Sequence, residues 1–127
     1  MSKSIPGHAG RLAGLSQLTQ MVLEMRLAVL RSAGAARQAT QAALTALETP
    51  VPAPGDDLAL AVVARADLLY DRWVERKRSA LNLRLAGETA LWLDQRDLAA
   101  TAFGRNAVVQ DLTADAIHAR LVAAQKR

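Results

Sequence analysis

Proline removes a backbone donor and clashes with the preceding helical turn, so helix interiors nearly exclude it. Of the four prolines in this 127-residue chain, three stand at Pro50, Pro52 and Pro54, and the other is Pro6. The segment Thr49-Pro-Val-Pro-Ala-Pro-Gly-Asp-Asp57 is therefore a hard break between two helix-permissive stretches, 7–49 and 55–127. That arrangement predicts an all-α fold: an antiparallel two-helix hairpin of coiled-coil type, in one domain. The expected boundaries are a flexible lead over 1–9, helix one over 10–49, a turn over 50–56 and helix two over 57–126. Asp56 or Asp57 is the expected N-cap of helix two, where a carboxylate accepts a free backbone N–H and suits the positive end of the helix dipole.

The residues agree with this. Half the chain is apolar (51%), but its aromatics are only Tyr70, Trp73, Trp92 and Phe103. Ala and Leu, both strong helix formers, supply most of the apolar mass. Alanine buries little area, so it suits close helix–helix contact better than a thick core. In helix one, Leu15, Leu18, Val22, Met25, Val29, Ala36, Ala39, Ala43 and Ala46 alternate three- and four-residue steps, interrupted by Ser32. They form the expected seam. In helix two, Trp73, Leu81, Leu85, Trp92, Ala99, Ala102, Phe103, Val109, Ile117 and Leu121 fall roughly on one side.

Helix two is expected to be the longer. Pairing from the turn outward leaves roughly 30 residues at its end without a partner, by residue count and helical rise. Phe103, Val108, Val109, Leu112, Ile117, Leu121 and Val122 then need cover. The preferred expectation is a continuous or gently bent helix two whose end is covered by a second protein, including a homodimer through residues 103–122; the alternative is a break near Gly104–Thr113, with Thr113 capping a restarted helix that folds back.

The net charge of +4 is interspersed with acid rather than blocked. The basic cluster Arg72, Arg76, Lys77, Arg78 and Arg84 lies beside Asp67, Asp71 and Glu75. Asp71 to Glu75 and Arg72 to Arg76 are both i,i+4 steps, so opposite charges run as adjacent stripes, the pattern of a solvated helix face rather than a nucleic-acid site. There is no cysteine, hence no disulfide, thiolate metal site or cysteine nucleophile. His8 and His118 have no second histidine one turn away, so no helical metal pair is expected. Phosphate-loop, nucleophile-elbow and zinc-protease motifs are absent from the sequence. Asp67 with Asp71, and Asp94 with Asp97, need a cleft to separate their pKa values, and a narrow hairpin offers none. The expectation is a chain that is not an enzyme and needs no cofactor. No apolar run of membrane-spanning length and no signal peptide is read here, so the expected location is cytoplasmic, or peripheral at the inner membrane through a partner.

Tyr, Trp and Arg dominate binding hot spots. Tyr70 and Trp73 are three apart on helix two, inside Leu-Leu-Tyr-Asp-Arg-Trp-Val-Glu-Arg-Lys-Arg78. The expected protein-binding residues are Leu69, Tyr70, Trp73 and Lys77 near the turn, opposite Ala42, Ala43 and Ala46. Phe103 and Arg105, from Ala-Ala-Thr-Ala-Phe-Gly-Arg105, are the second candidate pair. Core packing of the same aromatics is the plainer alternative, for Trp92 above all.

The order of a short lead, a first helix of about forty residues, a proline-bearing turn and a longer mixed-charge helix resembles the FliJ/YscO-type stalk proteins of flagellar and type III secretion export ATPases. Arg-Leu-Ala-Gly-Leu-Ser-Gln-Leu18 is similar to the start of that family's first helix. Leu91-Trp-Leu-Asp-Gln-Arg-Asp-Leu-Ala-Ala-Thr-Ala-Phe103 is similar to part of its second. The resemblance implies paired termini inserted like an axle into a hexameric export ATPase. It also implies a hairpin end that contacts an export-gate protein, and no catalytic residues.

Overall fold

The computed structural model describes residues 4–49 and 59–126, with side chains from Gly10 onward. The fold is all-α, a hairpin of two helices with the second longer: α1 spans Ser4–Leu47 and α2 spans Leu60–Gln125. The expected turn over 50–56, with Asp56 and Asp57, lies outside the described residues.

Helix α1 begins at Ser4 rather than Gly10, so residues 4–9 of the expected lead are helical. Pro6 is tolerated there because the first-turn N–H groups have no intrahelical acceptor. At its other end α1 tightens, with Glu48 N–H donating to the Thr45 carbonyl at 3.1 Å and Thr49 N–H to that of Ala46 at 3.3 Å. The first carbonyl of α2 is that of Ala59, which accepts from Val63 N–H at 3.1 Å. Ala59 therefore holds the cap position expected of Asp56 or Asp57. Helix α2 runs without interruption through Gly104 and Thr113. Instead of capping a restart, the Thr113 hydroxyl donates back to the Val109 carbonyl at 2.8 Å.

The chain forms two compact units, and both helices contribute to each. The first comprises Met1–Ser32 and Leu93–Arg127. Its less exposed positions on α1 are Leu12, Ser16, Thr19, Leu23, Arg26 and Leu30; on α2 they include Gln95, Ala99, Ala102, Asn106, Val109, Thr113 and Ala116. Both sets alternate three- and four-residue steps, the spacing of a coiled-coil seam. Polar contacts fix their register. Gln110 Nε2 donates to Ser16 Oγ at 2.6 Å, and the Thr19 hydroxyl lies 3.1 Å from Asn106 Oδ1. Rising numbers on α1 meet falling numbers on α2, so the segments are antiparallel.

The second unit is Ala33–Trp92. Its seam joins Ala33, Arg37, Thr40, Leu44 and Leu47 to Val74, Arg78, Leu81, Leu85, Glu88 and Trp92. Thr40, only 4% exposed, donates to the Glu88 carboxylate. Arg37 Nε donates to the Thr89 hydroxyl at 3.0 Å, and its guanidinium lies 5.1 Å from the centre of the Trp92 ring. Trp92 is half-buried, consistent with its packing role in the plainer reading.

The observed α1 seam is displaced by one residue from the expected one throughout. Leu15, Leu18, Val22, Met25 and Val29 are exposed, while Ser16, Thr19, Leu23, Arg26 and Leu30 are less so. One residue is a 100° turn about a helix of 3.6 residues per turn. The pairing register also differs from the expectation. The end of α2 is paired with α1 in the first unit, whereas α2 from Leu60 to Trp73 is exposed except at Val63. The unpaired stretch is thus the start of α2 rather than its last turns.

Gly34 packs closely on its neighbour: a Cβ there would lie 3.3 Å from Trp92 Nε1, whereas one at Gly14 or Gly87 would meet nothing within 4 Å. Gly14→Ala and Gly87→Ala are each expected to stabilise by about 1 kcal/mol through helix propensity. Gly34→Leu is expected to cost about 1–3 kcal/mol through overpacking. Urea unfolding followed by circular dichroism at 222 nm checks the opposite signs.

Candidate protein-interaction site

The start of α2 lies beyond the end of α1 within the second unit. Leu47, Glu48 and Thr49 share a shallow cavity of about 470 Å³ with Tyr70, Val74 and Arg78, while α2 before Tyr70 has no α1 residue across from it in the seam. Val74, 8% exposed, is the first fully seated side chain of α2. Tyr70 and Trp73 lie just before it on the neighbouring face and remain 38% and 47% exposed. Their ring centroids are 5.9 Å apart with planes tilted by 30°, within the favourable range for an aromatic pair. The rings therefore hold one another while each keeps a solvent-facing surface.

Lys77 is exposed one turn beyond Trp73, on the same side of the helix. Leu69 is exposed too and lines a second cavity, about 560 Å³, with Asp71, Arg72, Glu75 and Arg76. The basic cluster is partly internally paired. Arg78 Nη1 is 2.6 Å from Glu75 Oε1, and Arg84 Nε is 3.8 Å from Glu88 Oε1. Arg72, Arg76 and Lys77 are thus interleaved with Asp71 and Glu75 along one exposed helix, as the charge spacing implied.

The structure brings together Leu69, Tyr70, Trp73 and Lys77. Phe103 and Arg105 belong to the other unit. As an i,i+2 pair these two do not share a helix face. Phe103 is 65% exposed, so it is not the core residue of the plainer reading. The alanines expected opposite the aromatics differ also. Ala42 and Ala46 are exposed, whereas Ala43, Leu44 and Leu47 are less so. The one-residue rotation of the seam accounts for that exchange.

Sequence reasoning missed the cluster of Gly34, Arg37, Thr89 and Trp92. No local signal marks it, because its parts lie on different helices and join only through the register. Among the described residues no group of three or more His, Cys, Asp or Glu can hold a metal ion. No described helix is long and apolar enough to cross a membrane. Compared with protein-family models, curated proteins and solved structures, the chain matches none.

The exposures separate two roles within one turn of helix. Replacing Tyr70 and Trp73 together by alanine is expected to leave helicity unchanged and stability within about 1 kcal/mol, as for surface positions. Val74→Ala is expected to cost about 1.5 kcal/mol, at roughly 0.8 kcal/mol per buried methylene. Thermal melts of the two variants check this contrast, and a larger loss in the aromatic variant would assign the rings to the core.

Proposed function

We propose that this chain is a non-enzymatic protein-interaction module, a stalk or adaptor of a flagellar or type III export ATPase. The observation that carries the interaction role is the exposed Tyr70–Trp73 pair on a helix anchored by Val74. Aromatic side chains with few rotatable bonds bind at low entropic cost and recur as hot spots. The assignment to an export ATPase rests on the sequence resemblance, and the two long helices are compatible with it. In this reading the paired termini engage a hexameric export ATPase, and the aromatic end of α2 engages an export-gate protein. The chain then works in the cytoplasm, at the inner membrane only through those partners. A self-associating scaffold or chaperone-like binder is the competing reading and makes a different demand, a stable homodimer indifferent to any ATPase.

The test uses the full chain with a purified hexameric export ATPase and the cytoplasmic part of an export-gate protein. The chain is expected to bind the ATPase and raise its turnover. The Tyr70→Ala, Trp73→Ala double variant is expected to keep that effect and bind the gate protein with about 30-fold lower affinity, the loss of a hot spot worth roughly 2 kcal/mol. Unchanged turnover with no binding to either protein would overturn the export assignment.

A further inference from the structure

The first unit carries a second surface of different chemistry. On α1, Leu15, Leu18, Val22, Met25 and Val29 form an aliphatic stripe, each between 38% and 56% exposed. On α2, Leu98, Val108 and Leu112 are 42–59% exposed. The two rows flank the seam on the same side, because cavities bridge them. One, about 490 Å³, is lined by Leu15 and Thr19 of α1 and by Thr101, Gly104, Arg105 and Val108 of α2. Another is lined by Leu18, Thr19 and Val22 together with Ala102 and Arg105. A third continues along α2 past Thr101 to Leu98, Asp97 and Asp94. Shared residues make the three one continuous groove.

Its charges are few and ordered. Arg105 borders both bridging cavities, and no carboxylate among the described residues pairs with it. Asp97 and Asp111 are exposed on the outer side of α2. They are two heptads apart and so lie on one face, roughly 12 Å and 9 Å along the axis from Arg105 at 1.5 Å per residue. The outer side of α1 carries Gly14, Met21 and Ala28 at the corresponding places and no charge. The α2 edge of the groove therefore carries Asp94 and Asp97, then Arg105, with Asp111 beyond them, and the α1 edge is aliphatic from Leu15 to Val29, with Arg11 one step before Leu15.

We propose that this groove docks one amphipathic helix of another protein. That helix presents an aliphatic stripe, a carboxylate near its middle that meets Arg105, and a Lys or Arg about two turns to either side that meet Asp97 and Asp111. Size favours a single helix over a second copy of this chain. From Leu15 to Val29 the stripe is roughly 21 Å long and two helices, about 20 Å, wide. That is about 420 Å² per side, half the roughly 800 Å² per partner of a stable interface. It matches a helix laid in a groove and held weakly. This proposal concerns a surface other than the aromatic one and is independent of the export assignment.

Two labelled synthetic peptides of 21 residues test it by fluorescence anisotropy at low salt with the full chain. Both are Ala-rich helices with a leucine stripe. One carries a central Glu with a Lys two turns away on each side, and the other has these charges reversed. The first is expected to bind about tenfold tighter, as complementary rim charges add and like charges oppose. Arg105→Glu should narrow the ratio to about twofold, and Arg105→Glu with Asp97→Lys and Asp111→Lys should invert it. Val22→Asp should abolish binding of both peptides with helicity retained, since Val22 lies outside the seam. Equal binding of the two peptides, binding that survives Val22→Asp, or no binding overturns the proposal. So does a chain of dimeric mass by light scattering that Val22→Asp makes monomeric, which would give the groove to a second copy.

Discussion

The helices of this hairpin meet through small and hydrogen-bonded residues, and the rest of the structure depends on that choice. Ala33, Ala99 and Ala102 are less than 9% exposed, and among the described residues Thr40 is the polar one buried with them. Around them, Ser16 pairs with Gln110, Thr19 with Asn106, Thr40 with Glu88 and Arg37 with Thr89. Each pair is weak as a source of stability, because it replaces hydrogen bonds to water. Each is strong as a source of specificity, because sliding either helix by one residue leaves partly buried polar groups unpaired. Polar residues at seam positions commonly set register at some cost in stability. Gln95 is a further polar residue at the seam, with its Oε1 buried.

Small and polar side chains share the seam with leucines such as Leu12, Leu23 and Leu30, and a second set of large aliphatic side chains is left outside it. In the first unit they fall one residue away, on a face open to solvent. Burying that face instead would gain more per residue, at about 25 cal/mol per Å² of apolar area. It would not satisfy the polar partners across the seam. The polar layers therefore fix the pairing and also expose the apolar stripe. In the second unit the pairing carries α1 to its end near Val74 and leaves Tyr70 and Trp73 just before that point on α2.

The hairpin of two helices with the second longer was legible in the sequence, because proline exclusion and heptad spacing are local properties. The period of the α1 seam was legible as well, but its phase was not. Leu15, Leu18, Val22, Met25 and Val29 obey the same alternation as Ser16, Thr19, Leu23, Arg26 and Leu30, and hydrophobicity ranks the first set higher. What reverses the order is the chemistry of residues about ninety positions away, such as Gln110 opposite Ser16. No inspection of one helix at a time reveals it. The exposed aromatic pair was legible as two rings on one face, yet the grounds differed. Small alanines across the seam were expected to leave the rings open, whereas the rings lie where α1 has ended. Phe103 and Arg105 were close in sequence and point away from each other, which i,i+2 spacing on a helix enforces.

The two exposed surfaces also differ in what they can do. Tyr70 and Trp73 offer a large contact area on side chains with little freedom to lose, which concentrates binding energy in few residues. The aliphatic groove spreads its apolar surface over several Leu, Met and Val side chains, and Met in particular adapts to irregular partners. A surface of that kind tolerates variation in what it binds, and its sparse charges then do most of the discriminating. Arg105 is the residue on which that discrimination turns. It is the cation on the groove's α2 edge between Asp97 and Asp111. A partner's apolar stripe would determine whether it binds in the groove, and the charge it carries opposite Arg105 would determine which partner is retained.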